Sequence, residues 1–160
     1  MQGSTKIIDL LNRQLTMELS SMDQYLAHSK LYEDWGISRL YHLLEHEYDE
    51  ELGHARKIIE RIIFLEGKAD TASRDPIQVG GDVKQMLTFD LAAENAVAES
   101  LREIIGVCEE EQDYVTRDML MELLDDTETD HIFWLEQALG LIDLVGIQNY
   151  IQSQMKASEG

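Results

Sequence analysis

The sequence has very little cysteine and proline. Its 160 residues include one of each, Cys108 and Pro76. A single cysteine excludes a disulfide within the chain and a metal cluster held by several thiolates, so we expect Cys108 to be a small core residue. With one proline, long uninterrupted helices are possible. The sequence also lacks an apolar run long enough to span a membrane.

Basic residues are scarce as well. The chain has 13 Lys and Arg against 32 Asp and Glu, and its formal net charge is −19. This balance argues against nucleic-acid binding through a basic face. It fits a protein that attracts cations and equally one that uses acidity for solubility. Residues 1–11 lack a basic region followed by an apolar run, so no secretory signal is predicted and a cytoplasmic location is expected.

Apolar residues recur at helical spacing along four long segments. Residues 68–81 hold the proline and two adjacent glycines and are predicted to be a long connection. Asp82 with Gln85 resembles a capping box that opens the helix after it. We therefore predict an all-α fold in a single domain, residues 1–160. A four-helix bundle over about 5–145 has a long crossover between helices two and three, and a short C-terminal fifth helix covers about 147–155.

A carboxylate interrupts the apolar stripe of each predicted helix near its middle. Helix one has Glu18 and helix three has Glu94. Helices two and four each carry a Glu-x-x-His pair, and the two pairs are Glu51 with His54 and Glu128 with His131. In the fourth helix the predicted stripe consists of Met121, Leu124, Glu128, His131, Leu135 and Ile142.

Four carboxylates and two imidazoles directed into one bundle predict a two-metal site. Buried carboxylates without partners are costly and repel one another, whereas four of them balance two divalent cations. Residues at i and i+3 share a helix face, so each pair offers an oxygen and a nitrogen to a metal. A carboxylate-rich set without thiolate suits iron or manganese better than structural zinc. The other explanation is a set of buried salt bridges or protonated acids, but no Lys or Arg occupies the facing stripe positions.

The order Glu, Glu-x-x-His, Glu, Glu-x-x-His, with one long crossover, resembles the ferritin-like di-iron carboxylate proteins, for which this ligand pattern is known. Within that group the sequence is most similar to the bacterioferritins, and the likeness covers nearly the whole chain. It includes the tail helix and the stretches Glu60–Ile62, Phe64–Gly67, Arg117–Met119 and Asn149–Tyr150.

The resemblance implies a set of ligands for a di-iron ferroxidase centre. Within this set Glu51 and Glu128 match bridging carboxylates, Glu18 with His54 would hold one iron, and Glu94 with His131 the other. The full set of expected ligands is Glu18, Glu51, His54, Glu94, Glu128 and His131.

Further residues are assigned by the same resemblance. Tyr25 matches a tyrosine that hydrogen-bonds a ligand carboxylate. His46 and Glu50 lie where such proteins hold additional iron on their inner surface. His28 and His42 fall off the ligand stripe, so we expect both at the protein surface.

The implied function is iron storage and detoxification. A hollow shell of twenty-four subunits would oxidise Fe(II) with dioxygen or peroxide and store a ferric mineral. One alternative is a catalytically weak structural subunit that co-assembles with a haem-binding subunit. Another is a di-iron oxidase or peroxidase of the rubrerythrin kind, which would need a cysteine-rich electron-transfer domain that one cysteine cannot build.

Two positions depart from the bacterioferritin pattern. Leu52 follows Glu51 where the family has a methionine that ligates haem iron, and leucine has no donor atom, so we expect no haem ligation by this chain. The acidic stretch from Asp125 to Asp130 is one residue longer than usual. A π-bulge in the fourth helix is predicted to absorb the extra residue and keep the Glu128 and His131 pair in register. If the bulge fails to do so, His131 is the ligand expected to be displaced.

Overall fold

The computed structural model describes residues 1–155, and no strand occurs within that range. None of the helices in this part of the chain combines the length and apolar character needed to cross a membrane. The predicted all-α bundle with a long crossover and a short C-terminal helix is confirmed. The helices are α1 (Thr5–Asp34), α2 (Ser38–Phe64), α3 (Val83–Glu110), α4 (Tyr114–Asp126), α5 (Phe133–Val145) and α6 (Ile147–Ser153).

The fourth helix of the bundle is continuous but not uniform. A π-helical turn, Thr127–Ile132, joins α4 to α5. We call α4, this π-turn and α5 together the fourth bundle helix. The π-bulge predicted from the extra acidic residue is therefore present, and its effect on side-chain direction is large.

Local signals set where the helices begin and end. The Ser4 side chain accepts a hydrogen bond from the backbone of Ile7 at the start of α1. At the start of α3, Asp82 Oδ1 accepts from Gln85 N at 2.8 Å, and Gln85 Oε1 accepts from Gly81 N at 2.7 Å. This reciprocal pair corresponds to the predicted capping box, except that Gln85 accepts from the backbone of Gly81 and not from that of the N-cap residue Asp82.

The helices pack so that the centre of the bundle is polar and its two ends are apolar. α1 packs on α2 and α3, and α3 packs on the fourth bundle helix. One apolar cluster contains Leu15, Ile58 and Leu101, and the other contains Tyr32, Leu44 and Leu87. Several buried polar residues fall between the two clusters, among them Glu18, Glu47, Glu51, His54, Asp90, Glu94, Thr127 and His131.

The crossover after α2 runs along α1 and is held there by side chains that recur at intervals of one turn or two. Asn12, Ser20, Gln24 and His28 share this face of α1. Their bonds to the crossover backbone are Asn12 Nδ2 to Lys68 O (2.9 Å), Asp70 N to Asn12 Oδ1 (2.8 Å), Asp75 N to Ser20 Oγ (2.8 Å), Gln78 N to Gln24 Oε1 (3.2 Å) and Gly80 N to His28 Nε2 (3.0 Å).

His28 is completely buried, and its predicted surface position is therefore wrong. Its Nε2 accepts from the backbone of Gly80, so its Nδ1 carries the hydrogen that faces Asp90 Oδ1 at 2.9 Å. The same Asp90 oxygen accepts from Gln24 Nε2 at 2.8 Å. Both partners of His28 are distant in sequence, which is why periodicity along α1 did not reveal them. His42 is exposed, as predicted.

The predicted apolar stripe of the fourth bundle helix is wrong before the π-turn. Leu120, Leu123 and Thr127 are fully buried, whereas Met121 is 48% exposed. A π-turn contains more residues than an α-turn, so it rotates the segment before it relative to the segment after it. After the turn, His131, Leu135 and Ile142 are buried as predicted. Cys108 is also buried in the core, as predicted.

Candidate metal centre

Five of the six expected ligands meet in the polar middle of the bundle. α1 supplies Glu18, α2 supplies Glu51 and His54, α3 supplies Glu94, and the fourth bundle helix supplies His131. Four of these side chains are fully buried, and His54 is 4% exposed. They reach one point because each interrupts its helix's core stripe at the same level between the two apolar clusters.

The five side chains form two groups that share Glu51. Glu18, Glu51 and His54 offer donor atoms that all lie within 4.8 Å of one another, and so do Glu51, Glu94 and His131. Glu51 Oε2 lies 3.7 Å from His54 Nδ1, and Glu51 Oε1 lies 2.9 Å from His131 Nδ1. One oxygen of the carboxylate therefore serves each group.

The donor atoms lack the partners that buried polar atoms normally have. Glu18 Oε2, both oxygens of Glu51, Glu94 Oε2 and His54 Nδ1 are buried without a hydrogen-bond partner. The approach of His131 Nδ1 to Glu51 Oε1 is close, but it is not aligned as a hydrogen bond. Unpaired buried polar atoms are rare and call for an explanation. Carboxylate oxygens and imidazole nitrogens that converge in this way fit divalent metal ions.

Glu128 does not join this cluster, which corrects the sequence-based expectation that it points inward. Its side chain is 44% exposed, and its Oε1 accepts a hydrogen bond from Arg102 Nη2 at 2.6 Å. The π-turn puts Thr127 at the core-facing position instead. The turn thus keeps His131 in register, as expected of a π-bulge, but it turns Glu128 outward, so the expectation that the pair would stay together holds for His131 alone.

Each histidine of the centre also contacts an acid through its outer nitrogen. His54 Nε2 lies 3.2 Å from Asp126 Oδ2. His131 Nε2 lies 2.7 Å from Glu50 Oε2 and 3.1 Å from Glu47 Oε2. The two imidazole rings stack with centroids 5.7 Å apart and planes inclined by 15°.

The buried acids and histidines of the centre shift one another's pKa values. Burial lowers the pKa of His54, but Glu18 and Glu51 more than reverse this effect and raise it to about 11. The pKa of His131 is also raised well above its ordinary value, because Glu51 and Glu94 outweigh the effect of burial. Burial together with the charges of Glu18 and Glu94 raises the pKa of Glu51 strongly. Glu18 is likewise buried, which raises its pKa, yet the close approach of Glu51 and His54, together with the hydrogen bond from Gln14, lowers it to about 2.

Two further hydrogen bonds orient the carboxylates. Tyr25 donates its hydroxyl hydrogen to Glu94 Oε1, as the resemblance implied for this tyrosine. Gln14 Nε2 donates to Glu18 Oε1 at 2.9 Å within the core. Sequence reasoning missed Gln14, although its position one turn before Glu18 on the same stripe was a usable signal. It also missed Asp126, for which regular helical spacing gave no signal.

A third acidic group lies beside the centre and is partly open to solvent. His46, Glu47 and Glu50 offer donor atoms within 4.8 Å of one another. These residues line a surface depression of ≈ 370 Å³ together with Asp130. Burial and the charges around it raise the pKa of Glu47 to about 7, against the opposing effect of His131. The depression therefore adjoins the His131 side of the centre.

Comparison with known proteins agrees with this fold. The family of ferritin-like domains matches residues 8–145. A bacterial ferritin of Synechocystis sp. is 48% identical over 155 residues, 97% of this chain and 99% of that protein. A bacterial ferritin of Pseudomonas aeruginosa is also 48% identical and covers 97% of this chain and all of its own length. A bacterioferritin of Rhodobacter capsulatus is 37% identical over 94% of this chain and 92% of its own. The chain belongs to the ferritin-like family, among the bacterial ferritins and bacterioferritins.

Proposed function

We propose that this protein stores iron and oxidises Fe(II) to Fe(III) at the centre described above. The observation that carries the proposal is the pair of buried donor groups joined by one carboxylate, Glu51. In this proposal Fe(II) is the substrate. Glu18 and His54 bind one ion, Glu94 and His131 bind the other, and Glu51 contacts both.

The charges of the buried residues support two bound cations. Glu18, Glu51 and Glu94 bring three negative charges when ionised, close to the four positive charges of two Fe(II) ions. Since Glu128 is turned toward Arg102, it has no part in the proposed ligand set. A shared carboxylate and two neutral imidazoles leave coordination positions open, which suits a site where iron turns over.

Two neighbouring metal ions can each supply one electron to the same oxidant. Two Fe(II) ions give two electrons to dioxygen, which takes up two protons and leaves as hydrogen peroxide. With hydrogen peroxide as the oxidant, two electrons and two protons break its O–O bond and yield two water molecules. The protein residues bind and orient the ions, and no side chain must act as a base in the electron transfer.

The acidic group beside the centre fits an accessory position for iron. His46, Glu47 and Glu50 converge at the open depression, and Glu50 contacts His131 directly. We propose that Fe(II) or Fe(III) binds here as it passes between solvent and the centre. An oxygen-rich group with one imidazole suits iron.

Assembly into a shell is part of the same proposal. The names of the relatives, bacterial ferritin and bacterioferritin, support storage of iron by this chain as well. Large apolar side chains are exposed on the single subunit, among them Ile63, Phe64 and Leu144, and contact between copies would cover them. A shell of twenty-four copies, or a mixed shell with a haem-binding subunit, is the expected form. The cytoplasmic location stays a prediction.

Leu52 supports the proposal that this chain does not itself ligate haem. The residue is partly buried and packs against one apolar cluster of the core. Its side chain offers no donor atom to iron. Any haem in a mixed shell would then depend on a partner's ligand.

The test is stopped-flow oxidation of Fe(II) by the assembled, metal-free protein. We expect a fast phase that consumes about two Fe(II) per chain, as a two-metal site requires. Glu94→Ala should slow this phase at least about tenfold. Glu99→Ala, an exposed acid on the same helix, should leave it unchanged and serves as the matched control. Equal rates for the two variants would contradict the proposal.

A structural role for the subunit is the second candidate. The observation that favours it is the outward position of Glu128, which leaves Glu51 as the one carboxylate shared by both donor groups. A chain of this kind would bind metal and form shell wall while another subunit oxidised the iron. Metal binding without any fast phase would select this role.

A further inference from the structure

We propose that Asp126 is the acid that the fourth bundle helix contributes to the centre, in place of Glu128, and that it acts by positioning His54. The inference rests on the proposed metal site, but it requires only metal binding and not oxidation. Asp126 would be a positioning residue, because it touches a ligand and not the metal.

The two nitrogens of His54 face different partners. Nδ1 points to Glu18 Oε2 and Glu51 Oε2, each 3.7 Å away. Nε2 points away from them and lies 3.2 Å from Asp126 Oδ2. A histidine that ligates metal through one nitrogen commonly donates the hydrogen on the other to a carboxylate, which fixes the ring and strengthens the ligand. Asp126 stands where such a carboxylate is needed.

The π-turn explains why Asp126 takes this place. Asp126 is the last residue of α4, directly before the turn. Thr127 occupies the core-facing position, and its hydroxyl donates to the Leu123 carbonyl at 2.8 Å rather than to the centre. The residues on either side of Thr127 therefore lie on opposite flanks of the helix. Asp126 reaches His54 on one flank, and Glu128 reaches Arg102 on the other.

The opposite half of the centre has the matching arrangement. His131, on the fourth bundle helix, directs Nδ1 to Glu51 and Glu94 and its Nε2 to Glu50 on α2, at 2.7 Å. His54, on α2, directs its Nε2 to an acid on the fourth bundle helix. Each helix thus supplies a histidine and the acid that orients the histidine of the other. This reciprocity argues that the Asp126 contact is part of the site.

Two acids of nearly equal exposure allow a matched test. The side chains of Asp126 and Glu128 are 46% and 44% exposed, so neither alanine variant removes a core residue. The assembled, metal-free protein and its variants would be titrated with Co(II), and the visible absorption bands and the number of ions bound would be recorded. Asp126→Asn is included because its amide oxygen can still accept a hydrogen bond from His54 Nε2.

We expect two Co(II) per wild-type chain. Asp126→Ala should lower the affinity for one of the two Co(II) ions by about 10–100-fold, as loss of a carboxylate hydrogen-bonded to a ligating histidine does. The absorption bands of that ion alone should change. Asp126→Asn should restore most of the affinity, and Glu128→Ala should match the wild type.

Three results would overturn the inference. The first is wild-type binding by Asp126→Ala, and the second is loss of an ion in Glu128→Ala but not in Asp126→Ala. The third is a wild-type chain that binds no Co(II), which would remove the proposed metal site as well. Normal Co(II) binding without Fe(II) oxidation would remove the oxidation proposal and leave the result for Asp126 standing.

Discussion

Replacing His28 with alanine removes the side chain that ties the crossover to α3. His28 accepts from the backbone of Gly80 and donates to Asp90, and all of these contacts are buried. The substitution therefore leaves the Gly80 N–H without a partner and takes one of two donors from the Asp90 carboxylate. It also leaves a cavity where the imidazole packed.

The structure gives the size of the effect. An orphaned buried N–H costs about 1–3 kcal/mol, and a lost hydrogen bond to a charged group costs about 1.5–3 kcal/mol. Because Asp90 keeps its bond from Gln24 and the structure relaxes partly, we expect His28→Ala to lower the free energy of unfolding by about 3–5 kcal/mol in total. His28→Gln, which keeps a donor and an acceptor, should recover part of the loss.

The assay combines thermal denaturation with hydrogen–deuterium exchange of peptides from the crossover, residues 68–82, at matched protein concentration and assembly state. We expect a lower midpoint and much faster exchange in the crossover for His28→Ala. His42→Ala, at an exposed position, should stay within about 0.5 kcal/mol of the wild type. If both variants behaved alike, the reasoning about the buried network would be refuted.

Three other perturbations test separate parts of the structure. Gly80→Ala would place a Cβ 2.6 Å from Met86 N and should lower the free energy of unfolding, measured by chemical denaturation, by about 1–3 kcal/mol. At Gly106 an added Cβ meets nothing within 4 Å, so Gly106→Ala should not destabilise the protein. Equal stabilities of the two variants would contradict the packing argument. Glu18 and Glu51 raise the pKa of His54 from 6.5 to about 11 despite burial, so the ring is protonated at pH 7. Zn(II) binding should therefore release protons and weaken as the pH falls. Calorimetric heats of binding that do not depend on the buffer would argue against this. Glu51→Gln should lower the affinity for both Zn(II) ions, whereas Glu18→Gln should lower the affinity for one of them. A loss of affinity confined to one ion in Glu51→Gln would show that the carboxylate is not shared.

Much of the fold could be predicted because three helices keep a regular period. The stripes through Glu18, Glu51 and Glu94 are buried as expected, and the proline and glycines between helices two and three mark the crossover correctly. Burial of a carboxylate on such a stripe needs a compensating partner. That requirement, more than spacing alone, brought the acids of α1, α2 and α3 together in the prediction.

The remainder depends on geometry that a regular period does not contain. One extra residue in the fourth bundle helix changes the direction of every side chain before it, so Thr127 and not Glu128 faces the core. The π-turn itself was predictable from the length of the acidic stretch, but the resulting rotation was not. His28 was misplaced for a different reason, since its partners lie in the crossover and on α3. Contacts between distant segments leave no periodic trace in the sequence.

The most direct test of the two-metal centre is anomalous diffraction from crystals of the protein soaked with Fe(II) in the absence of oxygen. We expect two peaks between the helices in each chain. Glu51 should contact both, with Glu18 and His54 on one and Glu94 and His131 on the other, while Glu128 stays on Arg102. A single peak, no peak, or a pair of ions bound without Glu51 would contradict it.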